Sequence, residues 1–337
     1  MVNLSITFNK VTIMRKLLYS VALLLFCSSC NKELKEPAKI KVNVSPETEG
    51  VVFHGDTAFV KSGTNVVFDF AGNHDFVTMY SGEPGSVYEY RNRTHISKEF
   101  IASSKLKFSI TPLYGVIPNT MSVYLKPDFA GLNGKDYKQD LELIEKTEWI
   151  DITALCNLPE KSNSTSNVEL DMVDYMDKPI SIAFRYETTQ NSSTQPRWDI
   201  KGLTIENQFI DGTGSEVTSP SFSFSAFDVL NPDAAYAVNT GAGVWNLAKN
   251  NFSDMLIQMP SSKAGEPKNL DWLISSPMDL STTTPDKGVA IKDITERLPQ
   301  YKYVYNRPGK YKVTFVANNV NFDYSSNAIC ELNLVVE

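Results

Sequence analysis

The sequence predicts an all-β protein in which one β-sandwich is interrupted by a second, jelly-roll-like β-sandwich. Three observations predict this. Apolar and aromatic residues recur at alternate positions in short runs. Gly, Pro, Asn and Ser clusters separate those runs. The first and last sets of strands are each too few to close a sandwich alone. Ala38–His95 and Asp286–Glu337 together make 110 residues, the size of one seven-stranded sandwich.

In chain order, Ile40–Val44 alternates as IKVNV and Val66–Phe70 as VVFDF. Phe76–Tyr80 follows the turn signal AGNHD, and VYEYRNR returns after SGEPG. These runs predict about four antiparallel strands. Leu106–Ile110, Met121–Leu125, Glu148–Ile152, Pro179–Tyr186 and Trp198–Ile205 form a second set. A short helix is expected near Asp140–Lys146 and a single turn around Val173–Met176. Residues 208–269 are rich in Gly, Ser, Asn and Pro, with FSFSAF and DMLIQM as the best strands, which suits a binding loop region or a cover over the sandwich. The C-terminal stretch is the most regular. Tyr301, Tyr303 and Tyr305 alternate, Pro308-Gly309 predicts a type II turn, and Tyr311, Val313 and Phe315 alternate after it, before a last strand at Ala328–Val336.

The N-terminus sets the compartment. Arg15 and Lys16 precede the ten-residue apolar run Leu17–Phe26, and small residues lead to Cys30. This is the layout of a secretory signal, and the run is too short to span a bilayer. Cys27-Ser28-Ser29-Cys30 resembles a lipobox, departing from it in Cys27, and implies cleavage before Cys30 and acylation of its thiol. Met14 is the expected start. The divisions are thus 1–29 signal peptide, 30–37 lipidated tether, 38–95 with 286–337 as the discontinuous sandwich, and 96–285 as the inserted jelly roll. Expected partners are the cell-envelope membrane through the lipid, a glycan, and outer-membrane transporter components.

The chain carries 32 Lys+Arg and 39 Asp+Glu, net −7. The three basic residues before Cys30, with no acid among them, take the mature form from −7 to −10. An acidic chain argues against a nucleic-acid binder, which needs a basic patch. Of the later cysteines, Cys330 alternates with Leu332 and Leu334, so a core thiol is favoured over a bridge to Cys156, which an exported compartment permits.

No reaction is indicated. His54, His74 and His95 lie in turn contexts without HExxH, and there is no GxSxG, GxGxxG or P-loop. No cofactor or metal is expected. Asp69, Asn73 and Asp75 read as turn-stabilising residues before calcium ligands. A carboxylate pair of glycosidase type is not found by spacing alone. Trp149, Trp198 and Trp272 fall within strand-like runs and read as core. Trp245 sits in the Gly-rich NTGAGVWN with Asn239 and Asn246, and Tyr236 is nearby. A sugar stacks its C–H face on a ring while amides meet its hydroxyls. These four residues are the candidate ligand contacts, set against a loop anchor tucked onto the sandwich.

Tyr303, Tyr305, Pro308, Gly309, Tyr311, Val313 and Phe315 resemble the end of a polycystic-kidney-disease-type (PKD) immunoglobulin-like domain, and Val51–Arg93 resembles its beginning. The insert resembles galactose-binding-like jelly rolls of adhesin modules in Trp149–Ile152, Ile182–Tyr186 and Trp198–Ile200. Asp271–Pro277 resembles the strand that opens such modules, here placed late. The whole mature chain resembles a family of Bacteroidota lipoproteins with a domain of unknown function, through FDFAGNHDFVTMYSGEPGSVYEYRNR, WLISSPMDL and PGKYKVTFVANN. That family resembles accessory lipoproteins of starch-utilisation-type glycan uptake systems. The resemblance implies a non-catalytic, surface-exposed outer-membrane lipoprotein that binds glycan. The alternative is a structural, adhesin-like or transporter-associated lipoprotein that binds protein.

Overall fold

The computed structural model describes residues 35–337, except 116–118, 189, 242, 248–256 and 260–262. The signal stretch, Cys30 and the first half of DMLIQM lie outside the described residues. The chain forms two compact units, one from the residues up to Tyr88 with Lys287–Glu337, the other Glu89–Asp286. The strands of the first stretch are β1 Lys39–Val44, β2 Val52–His54, β3 Thr57–Val60, β4 Asn65–Asn73 and β5 Phe76–Tyr80. The second unit holds β6 Ile101–Leu113, β7 Met121–Pro127, β8 Ile150–Asp151, β9 Ser166–Asp171, β10 Ile180–Glu187, β11 Arg197–Phe209, β12 Gly214–Thr218, β13 Ser225–Asp228, β14 Ile257–Met259 and β15 Leu270–Ile274. The chain ends with β16 Val289–Lys292, β17 Gln300–Val304, β18 Gly309–Asn321 and β19 Tyr324–Val336. The fold is an all-β sandwich fold.

The first unit packs a three-stranded sheet, β1-β4-β17, on a six-stranded one, β16-β5-β18-β19-β3-β2. Among the described residues only β3 and β19 run parallel there; the other pairs are antiparallel. The alternation in each strand buries one face: Val66 and Phe68 from β4, Val77 and Met79 from β5, Val313 and Phe315 from β18. Phe315 meets Phe68 and Phe70 edge-on, with centroids 5.2 and 5.1 Å away.

The YSGE run, Tyr80–Glu83, fastens the C-terminal strands to this core. The Tyr305 hydroxyl donates to the Ser81 carbonyl at 2.9 Å, and the Tyr303 hydroxyl donates to Glu83 Oε2 at 2.6 Å. Gly82 has φ +81°, and a Cβ on it would lie 2.8 Å from the Lys312 carbonyl oxygen of β18. Glycine is required there by conformation and by space.

Two local expectations are corrected. VYEYRNR is not a strand: Tyr88–Tyr90 form a 3-10 turn. Arg93, just after it, is drawn 4.0 Å over the Tyr90 ring and to Asp286 at 3.3 Å and Asp211 at 3.5 Å. Gly309 does not take the positive φ of a type II turn but opens β18. A Cβ there would lie 3.1 Å from the Tyr311 ring, so the glycine makes room for an aromatic.

In the second unit a five-stranded sheet, β13-β15-β10-β7-β8, faces a four-stranded one, β12-β11-β6-β9, with β14 added to β11. Leu106, Ile110, Ile182, Phe184, Ile200 and Ile205 fill the space between them. β15, the DWLI strand, lies between β13 and β10. The outer face of the five-stranded sheet is covered by α1, Tyr137–Lys146. Asp136 caps it by accepting from the Gln139 amide at 3.1 Å, and Asp140 and Ile144, one turn apart, turn inward. Tyr137 stacks on Phe227 and Trp149 on Trp272 in this outer cluster. Cys156 is buried in the second unit and Cys330 is half-buried in the first; both thiols are free. Burial pushes the Cys156 thiol up to about 12, with the Asp151 charge adding to it. Among the described residues no helix is long and apolar enough to cross a membrane.

Candidate functional site

The site begins with two aspartates on the inner face of the five-stranded sheet. Antiparallel pairing of β13 with β15 sets Asp228 directly opposite Asp271, and the pairing of β10 with β15 sets Tyr186 opposite Asp271. Directly opposed residues on one face have Cβ atoms about 5 Å apart. Asp271 shares its face with Leu273, which belongs to the core between the sheets. It is only 2% exposed, and among the described residues its Oδ2 has no hydrogen-bond partner. Burial, and then the Asp228 charge, push its carboxyl up to about 8. At neutral pH Asp271 is therefore mainly a neutral carboxylic acid with a proton to donate.

Asp228 stands closer to solvent. Its Oδ1 accepts from the amides of Leu230 at 2.8 Å and Asn231 at 3.1 Å, which turn the chain out of β13. Burial raises its carboxyl above the usual range, against the pull of those two amides.

Asp228 lines an open cleft of about 520 Å³ with Asn231, Lys263, Glu266, Lys268 and Asn269. Two loops form its walls. In one, Gly265 at φ +82° turns the chain; its amide donates to the Asn191 carbonyl, and Asn191 Nδ2 donates to the Glu266 carbonyl. In the other, Gly243 takes φ +74° against the Asn269 side chain, whose Nδ2 donates to the Gly243 carbonyl at 2.9 Å. Thr188 exchanges hydrogen bonds with Asn269, holding that residue at the mouth of β15. The lining offers carboxylates, amides and ammonium groups side by side.

The four residues expected to touch ligand are placed differently. Trp245 is 1% exposed and belongs to the core between the sheets, so no ring face is open for stacking. Its neighbours Gly243 and Val244 line the cleft instead. Asn239, at φ +62°, closes the loop: its amide donates to the Trp245 carbonyl at 2.8 Å, and its Oδ1 accepts from the Leu247 amide. Asn246 lies between Trp245 and Leu247 in that loop and is half-buried. Tyr236 faces the outer cluster under α1, where its hydroxyl donates to Asp140 Oδ2 at 2.7 Å. Asp140 is fully buried and also accepts from the Asn133 and Gly134 amides. Tyr236 and Trp245 thus serve two different cores.

The sequence carried a signal for the true lining that is easily overlooked. Asp271 is an acid at the start of an apolar strand run, LDWLI, where a charge is costly. Asp228 likewise ends FSFSAFD. The histidines stay apart: His95 pairs with Asp279 at 3.2 Å, His54 packs on Phe59, and His74 Nδ1 lies 3.2 Å from the Lys39 carbonyl. Among the described residues no group of three His, Cys, Asp or Glu is arranged to hold a metal ion.

No curated protein matches the sequence. The family described as Domain of unknown function (DUF5017) matches residues 29–223, more than half of the chain, and the protein belongs to that family.

Proposed function

We propose that this protein is a non-catalytic lipoprotein of the bacterial outer-membrane surface, of the Bacteroidota type, that binds glycan as an accessory of a polysaccharide-uptake system. The observation that supports it is the cleft of the second unit. Its volume of about 520 Å³ suits a sugar-sized ligand. Its mixed lining of Asp228, Asn231, Lys263, Glu266 and Lys268 presents donors and acceptors together, as a hydroxyl-rich ligand requires. Asp271 is too deeply buried to touch substrate, so the aspartate pair is read as a binding floor with one open residue, not as an acid and base.

The test is calorimetry of the mature chain against a panel of bacterial, plant and host glycans. Binding that weakens at least tenfold in Asn231→Ala or Lys268→Ala, with folding retained, is the expected result. Silence across the panel refutes the reading. A second reading, a protein-binding lipoprotein, is favoured by β2: it is the edge strand of its sheet, all three of its residues are exposed, and Val52 and Phe53 present apolar surface there.

A further inference from the structure

The β18–β19 hairpin of the first unit ends in a two-residue turn, Phe322-Asp323, between paired Asn321 and Tyr324. The turn is made by Asn321, whose Oδ1 accepts from the Asp323 amide at 3.0 Å. Nothing in that geometry calls for an aromatic. Short turns favour Gly, Asn and Asp, yet Phe322 projects there fully exposed. It is not alone. Val320 is 51% exposed and Ile294 is 61% exposed, and both line one depression with Asn319, Asn321 and Tyr324. An apolar group of this kind at a loop tip marks a surface that another phase covers.

The N-terminal chain arrives at the same place. Glu36 lines that depression. Its carboxylate accepts from Asn73 Nδ2 at 2.6 Å, and its carbonyl accepts from Asn319 Nδ2 at 3.2 Å. The Ala38 amide donates to Ser326 Oγ at 2.9 Å. Asn319 and Ser326 are partners in the hairpin register, and Phe322 lies three residues beyond Asn319, about 10 Å along the strand. Five residues separate Cys30 from Glu36, six chain steps that span at most about 20 Å. An acyl group on Cys30 therefore holds the bilayer within reach of the hairpin tip.

We propose that the tip formed by Phe322, Val320 and Ile294 inserts into the lipid surface beside the acylated Cys30, as a second membrane contact. This rests on the lipoprotein reading above. A second contact beside the lipid anchor fixes the orientation of the first unit. The contact is apolar: the acids Glu36, Asp75, Asp293 and Asp323 outnumber Lys35, Lys39 and Lys292 in this region, so no anionic lipid is called for and zwitterionic lipid suffices.

The experiment uses the full acylated chain carrying Phe322→Trp, reconstituted into phosphatidylcholine vesicles with brominated acyl chains. A second variant, Phe53→Trp, places the reporter on the β2 edge. After subtraction of the parental emission, the residue 322 signal is expected to fall roughly twofold or more while that at residue 53 holds. Labelled palmitate and a Cys30→Ala chain report acylation separately. An acylated, vesicle-bound protein with an unquenched residue 322 overturns the inference and leaves the lipoprotein reading standing. Failure of palmitate to incorporate overturns both. Shielding of residue 322 from iodide that grows with protein concentration and needs no lipid assigns the tip to a second copy, and also overturns the inference.

Discussion

Replacing Asp271 with asparagine should make the second unit more stable, and increasingly so as pH rises. The carboxyl is 2% exposed, has one oxygen without a partner among the described residues, and sits opposite Asp228. Its folded-state pKa of about 8 lies above the usual 3.8. Between those values the folded chain keeps a proton that the unfolded chain releases, so stability falls as pH rises. Below pH 4 both states are protonated and the group costs nothing; above pH 8 the loss is complete. At about 1.4 kcal/mol per pH unit, the wild type should lose about 4 kcal/mol between pH 5 and pH 8 from this residue. Asparagine keeps the shape and removes the titration. All four tryptophans, Trp149, Trp198, Trp245 and Trp272, lie in Glu89–Asp286, so urea unfolding followed by tryptophan emission reads this unit. Parallel stability–pH curves for wild type and Asp271→Asn would refute the reasoning.

Two further outcomes are expected. Gly82→Ala should destabilise the first unit by about 3 kcal/mol, since it meets both a positive φ and the Lys312 backbone, whereas Gly85→Ala, at φ +84° with open space around it, should cost only about 1 kcal/mol; tyrosine near-UV dichroism during thermal unfolding checks this, and equal losses would sink the assignment of the YSGE run as a fastening. Trp245→Ala should cost about 3–5 kcal/mol as a core truncation, while Trp245→Phe should cost much less, because it also removes a buried indole N–H that has no partner among the described residues; chemical denaturation followed by far-UV dichroism measures both.

Particular elements show where sequence reasoning holds and where it stops. Phe76–Tyr80 is a strand from first residue to last, because every second side chain enters the core. β9, Ser166–Asp171, is hard to read from SNVELD, because an edge strand is held by its backbone ladder to β6 and shows only Val168 fully buried. VYEYRNR alternates yet turns, because its charged end finds acids far away in the chain. The same limit applies to the site. Trp245 in a Gly-rich loop looks like an open ring, and only packing between two sheets hides it. Asp228 and Asp271 stand forty-three residues apart and become neighbours through strand register alone.

Taken by itself, the sequence determined an all-β chain with one short helix and a net acidic balance. Those properties follow from local alternation and composition, which the backbone period of two converts directly into buried faces. The tertiary structure decided which loop opens as a cleft, which acid is kept neutral beneath it, and why Gly82 and Glu83 stand where they do. Each of those depends on groups brought together across the fold, where burial and a neighbouring charge, not residue type, set what a side chain can do.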